Sequence, residues 1–255
     1  MQIKKISSIL SSSFLIGIIA LANTASADTT LWIVRHGKTM LNTTDRVQGF
    51  ADAPLTQAGI DVAKKTALGL EKVSMNSAYS SDSGRSIETA NILLTKQAPT
   101  LILKLDPRLR EFNFGTYEGD LNETMWTDIA KSQGLTLKEW FDAGISVQNF
   151  ANSVAILDAK VRAKSPSDNW AAEDYTQITA RLKASLEEIV AQSEENGGGN
   201  ILIVSHGLSI AAMVNIFDTQ SDLKAGSIKN ASVTKISFKD GIYKVEAVSD
   251  LSFAQ

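Results

Sequence analysis

Two short stretches far apart in the chain carry nearly the same pattern. Leu31-Trp32-Ile33-Val34 runs into Arg35-His36-Gly37, and Ile201-Leu202-Ile203-Val204 runs into Ser205-His206-Gly207. A short apolar run that stops at a polar residue and a glycine reads as a buried strand entering a loop. Shorter strand candidates lie at 77–80 and 100–105, and helical patterns occupy 56–71, 84–96, 175–192 and 208–217. In the third helix Ile178, Leu182, Leu186 and Ile189 share one face. Strands separated by helices predict an α/β fold, a three-layer α/β/α sandwich with a mainly parallel sheet. Near the end, residues 232–238 and 242–248 flank Asp240-Gly241, a hairpin signal.

Residues 120–170 follow a different rule. Val147, Phe150, Val154, Leu157 and Val161 recur at spacings of 3, 4, 3 and 4, so this is a helical insertion lying on the α/β core. It contains Trp126, Trp140 and Trp170. Two readings stay open: the aromatics pack the insertion down, or they form a cap that shapes a pocket. Gly197-Gly198-Gly199 sits before a strand with no phosphate-loop pattern and receives no function.

The N-terminus is set apart from the fold. Lys4 and Lys5 precede a mostly apolar stretch, and Ala25-Ser26-Ala27 supplies a small-residue cleavage pattern. Residues 1–27 are therefore expected to be a signal peptide, with the domain spanning 28–255. The expected product is exported, periplasmic or secreted, with no stable membrane anchor after cleavage. The apolar run is short and interrupted by Ser11, Ser12 and Ser13, which argues against a span. The formal net charge is −3, which argues against nucleic acid or an anionic membrane as a general partner. There is no cysteine, which excludes thiol catalysis, thiolate zinc sites, disulfides and a lipidated N-terminal cysteine.

The chain has only two histidines, His36 and His206, in equivalent positions. Strands of an open parallel sheet deliver their C-terminal ends to one edge, where ligands bind, so the two histidines can meet across a single site. Arg35 precedes the first, and Arg85 follows the strand candidate at 77–80. Guanidinium groups bind phosphate oxygens by charge-assisted hydrogen bonds, and their charge disfavours imidazolium, keeping a nearby histidine neutral and nucleophilic.

These residues belong to a longer pattern. Leu31-Trp32-Ile33-Val34-Arg35-His36-Gly37-Lys38-Thr39 resembles the signature of the histidine phosphatase superfamily, the group that includes cofactor-dependent phosphoglycerate mutases. The resemblance continues through Asn42, Arg46, Gln48-Gly49, Asp52, Pro54-Leu55-Thr56 and Gly59. It reappears at Tyr79-Ser80-Ser81-Asp82 with Arg85, Thr89 and Ala90. Leu109, Glu111, Phe114-Gly115 and Glu118-Gly119 look like the acid-bearing segment, and Val204-Ser205-His206-Gly207 looks like the second histidine motif. Arg-His-Gly alone is a weak signal; five ordered blocks are a strong one.

The resemblance implies a mechanism. His36 attacks phosphorus in line to form a phosphoenzyme, while Arg35, Arg85 and His206 hold the equatorial oxygens. The helix start at Gly207 adds backbone N–H groups to the same anion. Glu111 protonates the departing alkoxide and then activates water, with Glu118 as a nearby competitor. Asn42 and Arg46 match positions lining the phosphate pocket. Two departures stand out. Lys38 replaces an acidic or amide residue common in relatives; it either favours a second anionic group or is simply exposed. Gly207, in place of an aspartate, points to the mutase-like branch rather than the phytase-like one. The implied function is hydrolysis of small phosphate monoesters, with a phosphoglycerate mutase or a non-catalytic phosphate-binding protein as alternatives. The expected partner is a small phosphorylated substrate, with no cofactor and no metal. Oligomeric state is left open.

Overall fold

The computed structural model describes residues 28–166, 168–221 and 223–255, so the expected signal peptide at 1–27 lies outside the described residues. In chain order the elements are β1 (Thr29–Arg35), α1 (Met40–Thr43), α2 (Gln57–Gly69), β2 (Met75–Ser80), α3 (Gly84–Leu94) and β3 (Leu103–Leu105). There follow α4 (Asn122–Ser132), α5 (Leu137–Ala143), α6 (Val147–Lys164) and α7 (Tyr175–Glu195). The chain closes with β4 (Gly199–Ser205), α8 (Gly207–Phe217), β5 (Val233–Lys239) and β6 (Ile242–Asp250). The sheet order is β3-β2-β4-β1-β5-β6. The first four strands are parallel, and β5 and β6 add an antiparallel hairpin at one edge. This is the expected three-layer, mainly parallel α/β/α sandwich.

The two similar runs lie side by side. Leu31 pairs with Ile201, Val34 with Val204 and Arg35 with Ser205, residue for residue. Because side chains alternate across a pleated strand, each run feeds both layers at once. Trp32, Val34, Leu202 and Val204 meet Ala67 and Leu70 at the end of α2 and Ala90 and Leu93 of α3. Leu31, Ile33, Ile201 and Ile203 meet Ile178, Leu182 and Leu186 of α7 and Ile210 of α8. Each fully buried Val, Leu or Ile here contributes about 1.5–3 kcal/mol relative to exposure.

The chain leaves β1 toward β2 over the α2/α3 face and leaves β4 toward β5 over the α7/α8 face. The crossing of these connections makes the C-terminal ends of β1 and β4 a topological switch point, where a crevice opens.

The insertion is more broken than its periodicity predicts. It forms three helices, α4, α5 and α6, rather than one stripe. On α6 the buried residues end at Asp158, and Val161 is 41% exposed, because the last turns run past the core. Trp126 packs partly against the core and Trp140 is buried, but Trp170 is 66% exposed and rests edge-on against Phe50. The strand expected at 100–105 shrinks to Leu103–Leu105, an edge strand that among the described residues pairs with β2 alone.

Asp158 ties the insertion to the rest of the molecule. Its buried carboxylate accepts from Thr116 N at 2.7 Å, Ala172 N at 2.9 Å and Arg162 Nε at 2.9 Å. Gly115 passes so close that an added Cβ would lie 2.4 Å from this carboxylate. Asp158→Ala leaves two backbone donors without this acceptor and is expected to destabilise the fold by about 2–4 kcal/mol. Thermal unfolding monitored by circular dichroism checks this; an unchanged midpoint would contradict it.

Candidate active site

The ends of β1 and β4 bring His36 and His206 together, with ring centroids 5.2 Å apart. The loop after β1 is held rigidly. His36 N donates to Ser205 O at 3.0 Å, Gly37 N donates to Thr89 Oγ1 at 3.0 Å, and Asn230 Nδ2 donates to His36 O at 3.0 Å. Glycine is required at position 37, because a Cβ there would lie 2.7 Å from Gly59 O.

His36 is 3% exposed, and its Nδ1 lies 2.8 Å from Gly37 O. A carbonyl oxygen can only accept, so Nδ1 carries the proton and Nε2 of the neutral ring keeps a free lone pair. Burial holds the His36 pKa well below its ordinary value, and the Arg85 and Arg35 charges add to the effect. The neutral, nucleophilic form therefore prevails down through the usual histidine range. The rate of any step that needs this lone pair is expected to stay level as pH falls through about 6.5, the ordinary histidine value. An acid limb centred there, assigned to His36 by ring NMR, would refute it. The stability sign is opposite to that of a paired cation. Below about pH 6.5 the unfolded chain takes up protons that the native histidines refuse, so this contribution is lost as pH falls.

Arg85, at the start of α3, is fully buried. Its Nη1 donates to Ala51 O and to Asp52 Oδ1, both at 2.9 Å, and Nη2 donates to Gly49 O at 2.7 Å. Its Nε donates to His206 Nδ1 at 3.2 Å. Guanidinium cannot accept, so the His206 proton sits on Nε2, which lies 2.9 Å from Ser81 Oγ and 3.3 Å from Ser86 Oγ. Burial, then Arg85, holds the His206 pKa well below its ordinary value. Both ring nitrogens are engaged, so to hold a phosphate oxygen His206 must exchange the Ser81 and Ser86 hydroxyls for it. Arg85 has one Nη2 hydrogen left for an anion.

The two candidate acids separate by geometry. Glu118 accepts from the backbone N–H groups of Gly49, Phe50, Ala51 and Phe114 at 2.8–3.1 Å. It holds in place the loop whose carbonyls grip Arg85. Glu111 is 6% exposed and faces the other way, accepting from Leu208 N at 3.0 Å and from Ser209 N at 2.9 Å. It thus caps α8 across the fold, satisfying donors that a helix leaves open. The helix-start amides that the resemblance assigns to an anion are spoken for at Leu208 and Ser209. Gly207 lies in the wall of an adjoining cavity, and an added Cβ there would lie 3.2 Å from the Arg35 guanidinium carbon.

Beside these groups lies a cavity of about 560 Å³. Arg35, Glu111, Asn42, Arg46 and Gly207 are in its wall, whereas His36, Arg85 and His206 are buried outside the lining. Asn42 Oδ1 accepts from Thr39 N at 3.3 Å, and Arg46 Nη1 donates to Gly119 O at 2.8 Å. Lys38 is exposed and not in the wall. Arg35 Nη1 donates to Ile228 O at 2.5 Å, while its buried Nε has no partner among the described residues. Sequence reading left Gln48, Asp52, Ser81 and Thr89 without roles although their positions fit the family pattern. It also missed Asn230, which no local pattern marks.

Known proteins share the family and the fold of this chain. The family description "Histidine phosphatase superfamily (branch 1)" matches residues 31–171 and 154–251. A Yersinia pestis protein named "Probable phosphoglycerate mutase GpmB" is 26% identical over 215 residues, covering 82% of this chain and 85% of that protein. The crystal structure of phosphoglycerate mutase from Bacillus anthracis superposes with a TM-score of 0.82 at 39% identity, covering 91% of this chain and 97% of that one. A mycobacterial glucosyl-3-phosphoglycerate phosphatase shares the fold, with a TM-score of 0.59 at 24% identity, covering 88% and 99% of the two chains.

Proposed function

Because the chain belongs to the histidine phosphatase superfamily, we propose that it is a phosphatase that hydrolyses small phosphate monoesters through a phosphohistidine on His36. One observation carries this reading: the Nδ1–H to Gly37 carbonyl bond leaves Nε2 as the free nucleophile of a buried neutral ring. Nε2 forms a bond to phosphorus as the ester oxygen departs in line. Arg35 Nε and the remaining Arg85 hydrogen stabilise the equatorial oxygens. Glu111 gives the leaving alkoxide its proton and then takes one from the water that releases inorganic phosphate, restoring both groups.

A second reading is a phosphoglycerate mutase, favoured by the names of the relatives and by Arg46, a cation in the cavity wall. A mutase must hold its phosphoenzyme away from water. The leader-like residues 1–27 support export, which would separate the protein from a cytoplasmic phosphoglycerate pool. The test mixes the protein with 3-phosphoglycerate and a bisphosphoglycerate primer, following 2-phosphoglycerate and inorganic phosphate together. Phosphate release is expected to dominate, there and across a panel of other monoesters. Efficient isomerisation with negligible phosphate release would establish the mutase instead.

A further inference from the structure

Among the described residues, three buried side-chain polar atoms have no hydrogen-bond partner: Arg35 Nε, Gln48 Nε2 and Trp140 Nε1. All three are donors, and all three residues line the same cavity. Two of them belong to the phosphate end. Arg35 adjoins His36, and Gln48 Oε1 accepts from Thr39 Oγ1 at 2.6 Å in the loop that follows it. Trp140 stands elsewhere, on α5 of the insertion, 2% exposed, with Phe141 and Phe150 rings 5.1 and 6.4 Å away. Met125 and Trp126 of α4 continue this wall. The insertion therefore presents mostly apolar and aromatic surface; the Asn122 amide also stands in it, and Trp140 Nε1 is its buried donor without a partner.

A buried donor without an acceptor costs about 1–3 kcal/mol, a penalty that a ligand acceptor removes. Apolar walls with a few placed polar groups are how pockets combine affinity with orientation. A charged group is a poor match for the part of the wall formed by Met125, Trp126, Trp140 and Phe150, because rings do not replace its hydration; Arg46 and Lys224 line other parts of the cavity. We propose that the site takes phosphate esters of apolar, ring-bearing alcohols that carry a neutral hydrogen-bond acceptor, read by the Trp140 indole N–H. The proposal rests on the phosphate end of the cavity being the reacting end, as argued above.

The test uses phosphonates, which have no ester bond to cleave, so binding is measured whether or not turnover occurs. Calorimetric titration of the full chain compares 4-acetylbenzylphosphonate, its near-isostere 4-isopropylbenzylphosphonate, 3-hydroxypropylphosphonate and 3-phosphonopropionate. Both benzyl compounds are expected to bind about tenfold or more tightly than the short ones, from the apolar area they bury. The acetyl compound is expected to exceed its isostere by about 3- to 10-fold, the worth of one neutral hydrogen bond. Trp140→Phe keeps a ring and drops the N–H, so the acetyl-to-isopropyl ratio is expected to fall to about one. If Trp140→Phe fails to fold, benzothienylalanine at position 140 replaces N–H by sulfur at nearly unchanged shape. Tighter binding of either short phosphonate, or an acetyl preference that survives loss of the N–H, overturns the proposal. Failure of the phosphatase reading would appear separately, as no phosphate release from any ester and no label on His36.

Discussion

His36→Ala is expected to lower phosphate release by about 10⁴-fold or more, the scale seen when a covalent nucleophile is removed. Quenching without acid after mixing with labelled substrate should trap phosphate on the native protein, in a linkage stable to alkali and labile to acid. Mapping should place it on His36, and the variant should carry none. The structure explains why the second histidine cannot substitute. The His206 ring lies 5.2 Å from that of His36, but Arg85 occupies its Nδ1 and Ser81 faces its Nε2. The variant loses the ring contact with His206 and the bond to Gly37 O, so its melting point must be measured alongside. Substantial turnover by folded His36→Ala would end the covalent mechanism.

Glu111→Gln is expected to slow phosphoenzyme formation from alkyl phosphates by about 10²–10⁴-fold, the usual range for general acid catalysis. The same substitution also disturbs a cap. Glu111 Oε1 accepts from Ser209 N and Ser209 Oγ, and Oε2 accepts from Leu208 N, so an amide must turn one NH₂ toward these donors. The melting point is expected to fall accordingly, by the equivalent of about 1–3 kcal/mol. The leaving group separates the two effects. An alkoxide needs a proton to depart, whereas p-nitrophenolate leaves largely unaided, so a lost acid spares p-nitrophenyl phosphate in the single-turnover step. A distorted α8 would penalise both substrates alike. Equal losses would leave Glu111 with its capping role only and remove it as the proton donor. Steady-state rates are a poor guide, because the same residue is proposed to assist hydrolysis of the intermediate.

Much of this site can be read along the chain because its centre is built from local signals. Apolar runs ending in a histidine and a glycine say that two strands are buried and where each stops. The alternation of residues 31–34 and 201–204 already contains the two-faced core, and the spacing of Ile178, Leu182, Leu186 and Ile189 contains the face of α7. The family pattern then picks out Arg85 and Glu111. Other features depend on groups that meet only after folding. Nothing near Glu118 in sequence says that it holds residues 49–51 while Glu111 holds α8; both are glutamates in loops, distinguished only by which amides surround them. The heptad-like spacing of α6 is likewise silent about Asp158, whose partners Thr116 and Ala172 lie outside the helix. Trp140 carries the sharpest contrast. Its sequence context marks it as an apolar residue of an amphipathic helix, which is how it packs. That its N–H is left without a partner, in a residue that lines the same cavity as Arg35, depends on where folding places α5. Periodicity records which face of an element is buried, but the direction of one bond inside that face is set by long-range packing.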